Sequence, residues 1–215
     1  MNTQIAVIGL GRFGESLCLE LTELGVEVLA IDTDPKSVNN ISSKVTQAVI
    51  ADITNERVSE ELNLAAYHSV IIALSSDIGT SILATIVLKE AGVKNLWVKT
   101  SNDLQAKTLK KVGADNIINP EKTVAQRISK QLLSSHIQDF IEIGDGLALY
   151  ELKICEKLVG QRFHELKLPS NIMPLALKQQ SHLKAPPEGD YQLQLFDIIV
   201  LGGPSDILQK LLLKL

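Results

Sequence analysis

The sequence predicts an α/β protein: a doubly wound parallel sheet followed by a smaller α+β domain. Three observations carry this. Short aliphatic runs alternate with helix-period segments through the first two-thirds of the 215 residues, the pattern of a parallel sheet with helical crossovers. Hydrophobic residues make up 45% of the chain and aromatic ones only 4%, so the core is aliphatic and suits strands buried on both faces. The stretch Gly9-Leu10-Gly11-Arg12-Phe13-Gly14 joins the first apolar run to the first amphipathic segment, a G-x-G-x-x-G turn in strand-to-helix context.

The elements follow in order. Residues 4–10 read as a strand and 13–24 as a helix ended by Gly25 at its C′ position; 26–32 is a second strand. Asp34 and Pro35 open the next helix as N-cap and first helical residue. A third strand at 47–51 closes on Asp52, a helix follows at 56–62, a fourth strand at 70–74 and a helix at 77–91 ended by Gly92. Strand 95–99, helix 104–112, strand 116–118 and helix 121–133 complete the series. Six such strands form a Rossmann-type sheet of order 3-2-1-4-5-6. Beyond about residue 135 the pattern changes to strands at 139–143, 147–154, 172–178 and 196–201, with short helices at 160–166 and 205–213. The Pro- and Gly-containing segment 184–190 reads as a loop. The expected domains are therefore 1–135 and 136–215.

A net charge of −4 provides no basic footprint, so nucleic acid is not an expected partner. Cys18 and Cys155, on a predicted helix and a predicted strand, read as small core hydrophobes in a reducing compartment. No charged and then apolar leader follows Met1, and no apolar run approaches the roughly 18 residues that cross a bilayer. A cytoplasmic location is expected, without direct membrane insertion.

The glycine loop predicts a nucleotide site, its phosphates resting on the amides and positive dipole end of the first helix. Arg12 is unusual there, because a cation in the first turn opposes the dipole by roughly 0.3–1 kcal/mol. Extra phosphate charge offsets that cost. Asp32 ends the second strand, roughly 20 residues on from the loop, where an acid accepts from a ribose 2′-hydroxyl and disfavours a 2′-phosphate. NAD or an adenosine nucleotide is thus preferred over NADP.

Other residues of this edge admit two readings each. Asp52 either caps the helix after the third strand or accepts from an adenine amino group. Asp34 is mainly a cap with a ribose contact open to it, and Ser75, Ser76 and Asp77 are turn residues or part of the phosphate crevice. Lys99 ends the fifth strand, either solvated or facing phosphate. Glu121 either matches the dipole of its helix or completes the oxygen shell of Mg²⁺ or Ca²⁺ beside bound phosphates. Nothing supplies a catalytic apparatus: His68, His136, His164 and His182 read as surface or packing residues, and no G-x-S-x-G, H-E-x-x-H, C-x-x-C or P-loop occurs. An NAD-dependent oxidoreductase would explain Asp32 and the glycines but leaves Arg12 and the missing acid–base group unaccounted for. An NAD(H)-responsive sensor is the other alternative.

Taken together, the residues 6–14, Val28-Leu29-Ala30-Ile31-Asp32, Leu96-Trp97-Val98-Lys99, Gly113-Ala114-Asp115 and Pro120-Glu121-Lys122 resemble the regulatory subunits of Ktr/Trk-type potassium uptake systems, the RCK proteins. The likeness is specific over 4–133 and looser over 139–215. It implies a non-enzymatic cytosolic regulator that binds ATP or ADP, sometimes NAD(H). It implies a homo-oligomeric ring, typically octameric, beneath a membrane potassium-translocating subunit of the KtrB or TrkH kind, and hence a place at the inner face of the membrane. The resemblance further implies that Gly9, Gly11, Phe13 and Gly14 frame the phosphates and that Arg12 reaches the terminal phosphate of ATP, sometimes in a neighbouring subunit. Asp32 would hold the ribose, Asp34, Asp52 and Lys99 would line the nucleotide, and Glu121 would help hold a divalent cation. Some relatives bind cyclic di-AMP through an arginine-containing segment after the short helix of the second domain; residues 166–172 here lack arginine and are shortened, so that ligand is not expected.

Overall fold

The computed structural model describes residues 3–74, 78–133, 136–180 and 182–212. Two compact units divide the chain, Met1–Lys122 and Thr123–Leu215.

In the first unit, β1 (Gln4–Ile8), β2 (Glu27–Asp32), β3 (Gln47–Ile50), β4 (Ser69–Ile72), β5 (Leu96–Lys99) and β6 (Asn116–Ile118) form one sheet. The order is β3-β2-β1-β4-β5-β6, every pairing parallel, with Ile8 opposite both Ile31 and Ile72. The expected order 3-2-1-4-5-6 is therefore the observed one. Successive residues of the central strands feed two different cores. Ala6, Ile8, Leu29, Ile31, Val70 and Ile72 join one. Val7, Val28, Ala30 and Ile71 join the other. That double burial is why the strands read as unbroken apolar runs without alternation.

The helices α1 (Arg12–Glu23), α2 (Pro35–Ile41), α3 (Glu56–Glu61), α4 (Ile78–Glu90), α5 (Asp103–Lys111) and α6 (Pro120–Leu133) connect and follow these strands. β1 stops two residues earlier than its apolar run implies, because Gly9 turns the chain at φ +94°. α6 begins in the first unit and, from Thr123, belongs to the second.

The second unit holds a five-stranded antiparallel sheet, ordered β10-β9-β11-β8-β7. Its strands are β7 (Ile137–Gly144), β8 (Leu147–Lys153), β9 (Met173–Gln179), β10 (His182–Lys184) and β11 (Ile198–Pro204), followed by α7 (Ser205–Leu212). Here Ala148, Tyr150 and Leu152 are buried while the residues between them are not, the period-2 signature of a sheet with one covered face.

Four local expectations need correction. β10 is not among the expected strands, and its last residue, Lys184, falls within the segment 184–190 that reads as a loop. The helix expected at 160–166 is only a 3-10 turn over Phe163–Leu166. β11 starts at Ile198, two residues late, because Phe196 takes a left-handed φ of +71°. Cys155 lies beyond the end of β8 and is only half-buried, whereas Cys18 is buried as expected.

Candidate functional site

The carboxyl ends of β1, β2, β4 and β5 gather the loop and the acids on one edge, where sheets of this topology take ligands. Each glycine of the loop has a separate physical reason. A Cβ on Gly14 would stand 1.9 Å from the Gly9 carbonyl oxygen, so only glycine lets α1 start this close to β1. Gly9, in its left-handed turn, lies against Ala73 and Leu74, with an added Cβ 2.9 Å from Leu74 Cδ2. Around Gly11 nothing lies within 4 Å of the Cβ position: its bareness serves no packing and leaves open space over the N-terminus of α1. Gly11 is also the N-cap of α1, without a side-chain cap, so the amides of the first turn keep donors for an incoming anion. Arg12 is the first residue of α1 and is exposed. Phe13 is half-buried.

Asp32 already has partners. Its Oδ2 accepts from the Leu10 amide at 2.5 Å and its Oδ1 from the Asp34 amide at 2.9 Å. A carboxylate has about four acceptor positions, which leaves room for a hydroxyl. Asp34 holds α2 as predicted, accepting from the Lys36 and Ser37 amides at 3.2 Å each and from Ser37 Oγ at 2.9 Å. The Ser37 hydroxyl, then the Lys36 amide, lower its pKa.

Asp52 is not the cap of α3. Its Oδ1 accepts from the Thr54 amide at 2.9 Å and hydroxyl at 2.7 Å, a tight turn that lowers its pKa, while Asn55 caps the helix through the Arg57 amide at 3.2 Å. Asp52 shares with Gly9, Asp32, Thr33 and Thr80 the walls of a cavity of about 220 Å³. Thr80, on the first turn of α4, escaped sequence reasoning because nothing in its spacing distinguishes it from an ordinary helix residue. Ser75, Ser76 and Asp77 lie outside the described residues.

Lys99 overturns the solvated alternative. It is 8% exposed, its Nζ stands 2.8 Å from Glu121 Oε1 and 5.7 Å from the centre of the Phe13 ring. Glu121 is the second residue of α6, with its side chain largely exposed beyond that contact. The Lys99 ammonium, then its own backbone amide and more distantly Arg12, hold its carboxyl below the usual glutamate value. Among the described residues no three His, Cys, Asp or Glu side chains group as metal ligands, so within one chain Glu121 is a single carboxylate with a lysine on it. The histidines stand elsewhere: the His68 amide bonds to the Gln4 carbonyl at the opposite edge of the sheet, and the other three belong to the second unit.

Residues 5–120 match the family model for the TrkA-N domain. The chain is 38% identical over 207 residues to the Ktr system potassium uptake protein A of Vibrio alginolyticus, covering 95% of this chain and 94% of that one. It is 38% identical over 210 residues to the Ktr system potassium uptake protein C of Bacillus subtilis, covering 96% and 95%. In fold it is similar to the RCK domain of GsuK, with a TM-score of 0.67 at 15% identity over 99% of this chain and 48% of that one. No helix among the described residues is long and apolar enough to cross a membrane.

Proposed function

Because the chain belongs to the TrkA-N family and, within it, to the Ktr-type potassium uptake proteins, we propose that it is a nucleotide-sensing regulatory subunit controlling a membrane potassium-uptake partner through ATP/ADP-dependent changes of shape. It is not an enzyme: its relatives are named for potassium uptake.

The observation that carries the nucleotide reading is the open space over Gly11, at the uncapped head of α1 beside an exposed Arg12. The residues fit an adenosine polyphosphate, which supplies no reaction here, only a ribose, a base and two or three phosphates to be distinguished. First-turn amides of α1 and Arg12 receive the phosphates, Asp32 accepts from the ribose on its remaining lone pairs, and Asp52 stands at the cavity wall for the base. Asp32 suits NAD(H) equally, because that ligand also has a free 2′-hydroxyl; Arg12 favours the ligand with the most phosphate charge. Glu121, largely exposed beyond its contact with Lys99, can offer an oxygen to Mg²⁺ or Ca²⁺.

Control of the partner requires that ATP and ADP favour different shapes, since a ligand shifts an equilibrium only through its differential affinity. A homo-oligomeric ring, octameric as the resemblance implies, would convert small differences in each subunit into one larger movement at the inner face of the membrane. Exposed Val124, Ile128 and Leu132, at intervals of one helical turn on α6, support self-association.

Titration calorimetry of nucleotide-free protein with ATP, ADP and NADH tests the reading. Arg12→Ala should erode the preference for ATP over ADP by about tenfold, as expected for one charge-assisted contact, while adenosine binding stays unchanged. Equal loss of ATP and ADP affinity would remove Arg12 as the discriminator, and failure of the unmodified protein to bind any of the three would refute the nucleotide reading itself.

A further inference from the structure

We propose that Glu121 is a built-in competitor of the nucleotide's phosphates, its carboxylate occupying on Lys99 the place that a phosphate oxygen takes when the site is filled. The inference rests on the nucleotide reading above and adds to it the means by which occupancy reaches α6.

Lys99 ends β5 on the ligand edge, and its ammonium stands over Phe13, a residue of the phosphate loop itself. A lysine that is only 8% exposed needs an acceptor for its ammonium, since burying a charge without one is costly. One acceptor it has is Glu121 Oε1 at 2.8 Å, an oxygen anion like those of phosphate. Arg12 is the residue before Phe13, exposed at the head of α1. Lys99 thus brings its carboxylate partner up to the phosphate loop at Phe13.

The carboxylate is not on the nucleotide sheet but on the first turn of α6, and α6 passes from the first unit into the second after Lys122. When Lys99 exchanges its carboxylate partner for a phosphate oxygen, Glu121 is released and the first turn of α6 loses its tie to β5. No covalent step is involved. The exchange is a swap of one charge-assisted contact for another, so its net free energy is small and its direction depends on phosphate occupancy.

The experiment uses the full chain, freed of nucleotide, in EDTA. Glu121→Gln keeps the shape of the side chain but removes the competing charge. ADP should bind this variant about two- to fivefold more tightly than the unmodified protein, the worth of one partly exposed ion pair, while adenosine, lacking phosphate, binds both equally. Lys99→Gln should weaken ADP by a similar factor with adenosine again unchanged. Hydrogen exchange over residues 120–124 gives a second readout: ADP should accelerate it in the unmodified protein, and Glu121→Gln should show the fast exchange before any ligand is added. ADP affinity that is unchanged or weaker in Glu121→Gln under EDTA would overturn the proposal while leaving the nucleotide reading intact. A loss seen only with Mg²⁺ present would assign Glu121 to cation holding instead. No binding of ADP to the unmodified protein would overturn both.

Discussion

Asp32 predicts a result that separates its two roles. Its carboxylate accepts from the Leu10 amide at 2.5 Å and from the Asp34 amide at 2.9 Å, so it clamps the phosphate loop to β2 in addition to any contact with a ribose. Asp32→Ala leaves both donors without an acceptor. The Asp34 amide lies at an exposed position and recovers water. The Leu10 amide belongs to a residue only 5% exposed, and a hydrogen bond to a charged acceptor contributes roughly 1.5–3 kcal/mol; the expected destabilisation is therefore about 2–3 kcal/mol. At a few degrees per kcal/mol for a unit of this size, the thermal midpoint should fall by roughly 10 °C. Trp97, the single tryptophan, lies on β5 and reports the first unit alone, so its fluorescence during heating of nucleotide-free protein is the assay. Asp32→Asn keeps one acceptor oxygen and should fall between the two. If Asp32→Ala melts with the unmodified protein and loses only nucleotide affinity, the loop is held by something else and the clamp does not exist.

The other predictions use the same edge and the cysteines. Gly14→Ala forces a carbon to within 1.9 Å of the Gly9 oxygen and should cost several kcal/mol of stability, of the order seen for overpacking, whereas Gly11→Ala meets nothing and should melt within about 1 kcal/mol of the parent yet bind ADP more weakly in calorimetry. Equal stability of the two variants would contradict the packing geometry. Cys18 is fully buried, and burial, reinforced by Glu15, pushes its thiol up to about 12; in native protein at pH 8 a thiol reagent followed by peptide mass mapping should modify Cys155 and spare Cys18 until denaturant is added. The Glu121 carboxyl is held below its ordinary value of 4.5 by Lys99. Since its folded pKa is depressed, the pair's contribution is complete above that value and is lost only as pH falls through the lower one; a carboxyl-carbon NMR titration should show a midpoint under 4.5 that returns upward in Lys99→Gln.

What was legible in the sequence followed from backbone and burial. Aliphatic runs closed by glycines or acids fixed the six parallel strands, because a strand buried on both faces tolerates little else, and Asp34-Pro35 announced the start of α2 through chemistry confined to four residues. The second unit was harder to read. Its β10 is three residues long with every side chain exposed, so no apolar pattern marks it, and the late start of β11 depends on a left-handed Phe196 that composition does not foretell. At the site, residue types predicted which groups collect at the edge, but not what they touch. Asp52 and Asn55 are both sound caps by type, and only the path of the chain decides that Asn55 takes the helix. Lys99 reads equally as a solvated lysine or as one facing phosphate until β5, the Phe13 ring and α6 close around it.

The contacts of the site have a common logic that bears on sensing. Asp32 is engaged by a loop amide and Lys99 by Glu121, so groups aimed at the ligand already have partners within the protein. A site whose charges faced only water would bind more tightly and saturate at a lower nucleotide concentration, and would displace no internal partner on binding. Where a contact replaces an internal one, as proposed at Lys99, the binding free energy is a difference between similar terms. Occupancy then responds to which nucleotide is present, and the displaced internal partners supply the change of state. Asp32 has acceptor positions to spare and keeps its loop amide while receiving a hydroxyl, so it holds the frame still. Glu121 has one lysine and must give it up. The moving part is therefore expected on the phosphate side of the site, at the head of α6, and not on the ribose side.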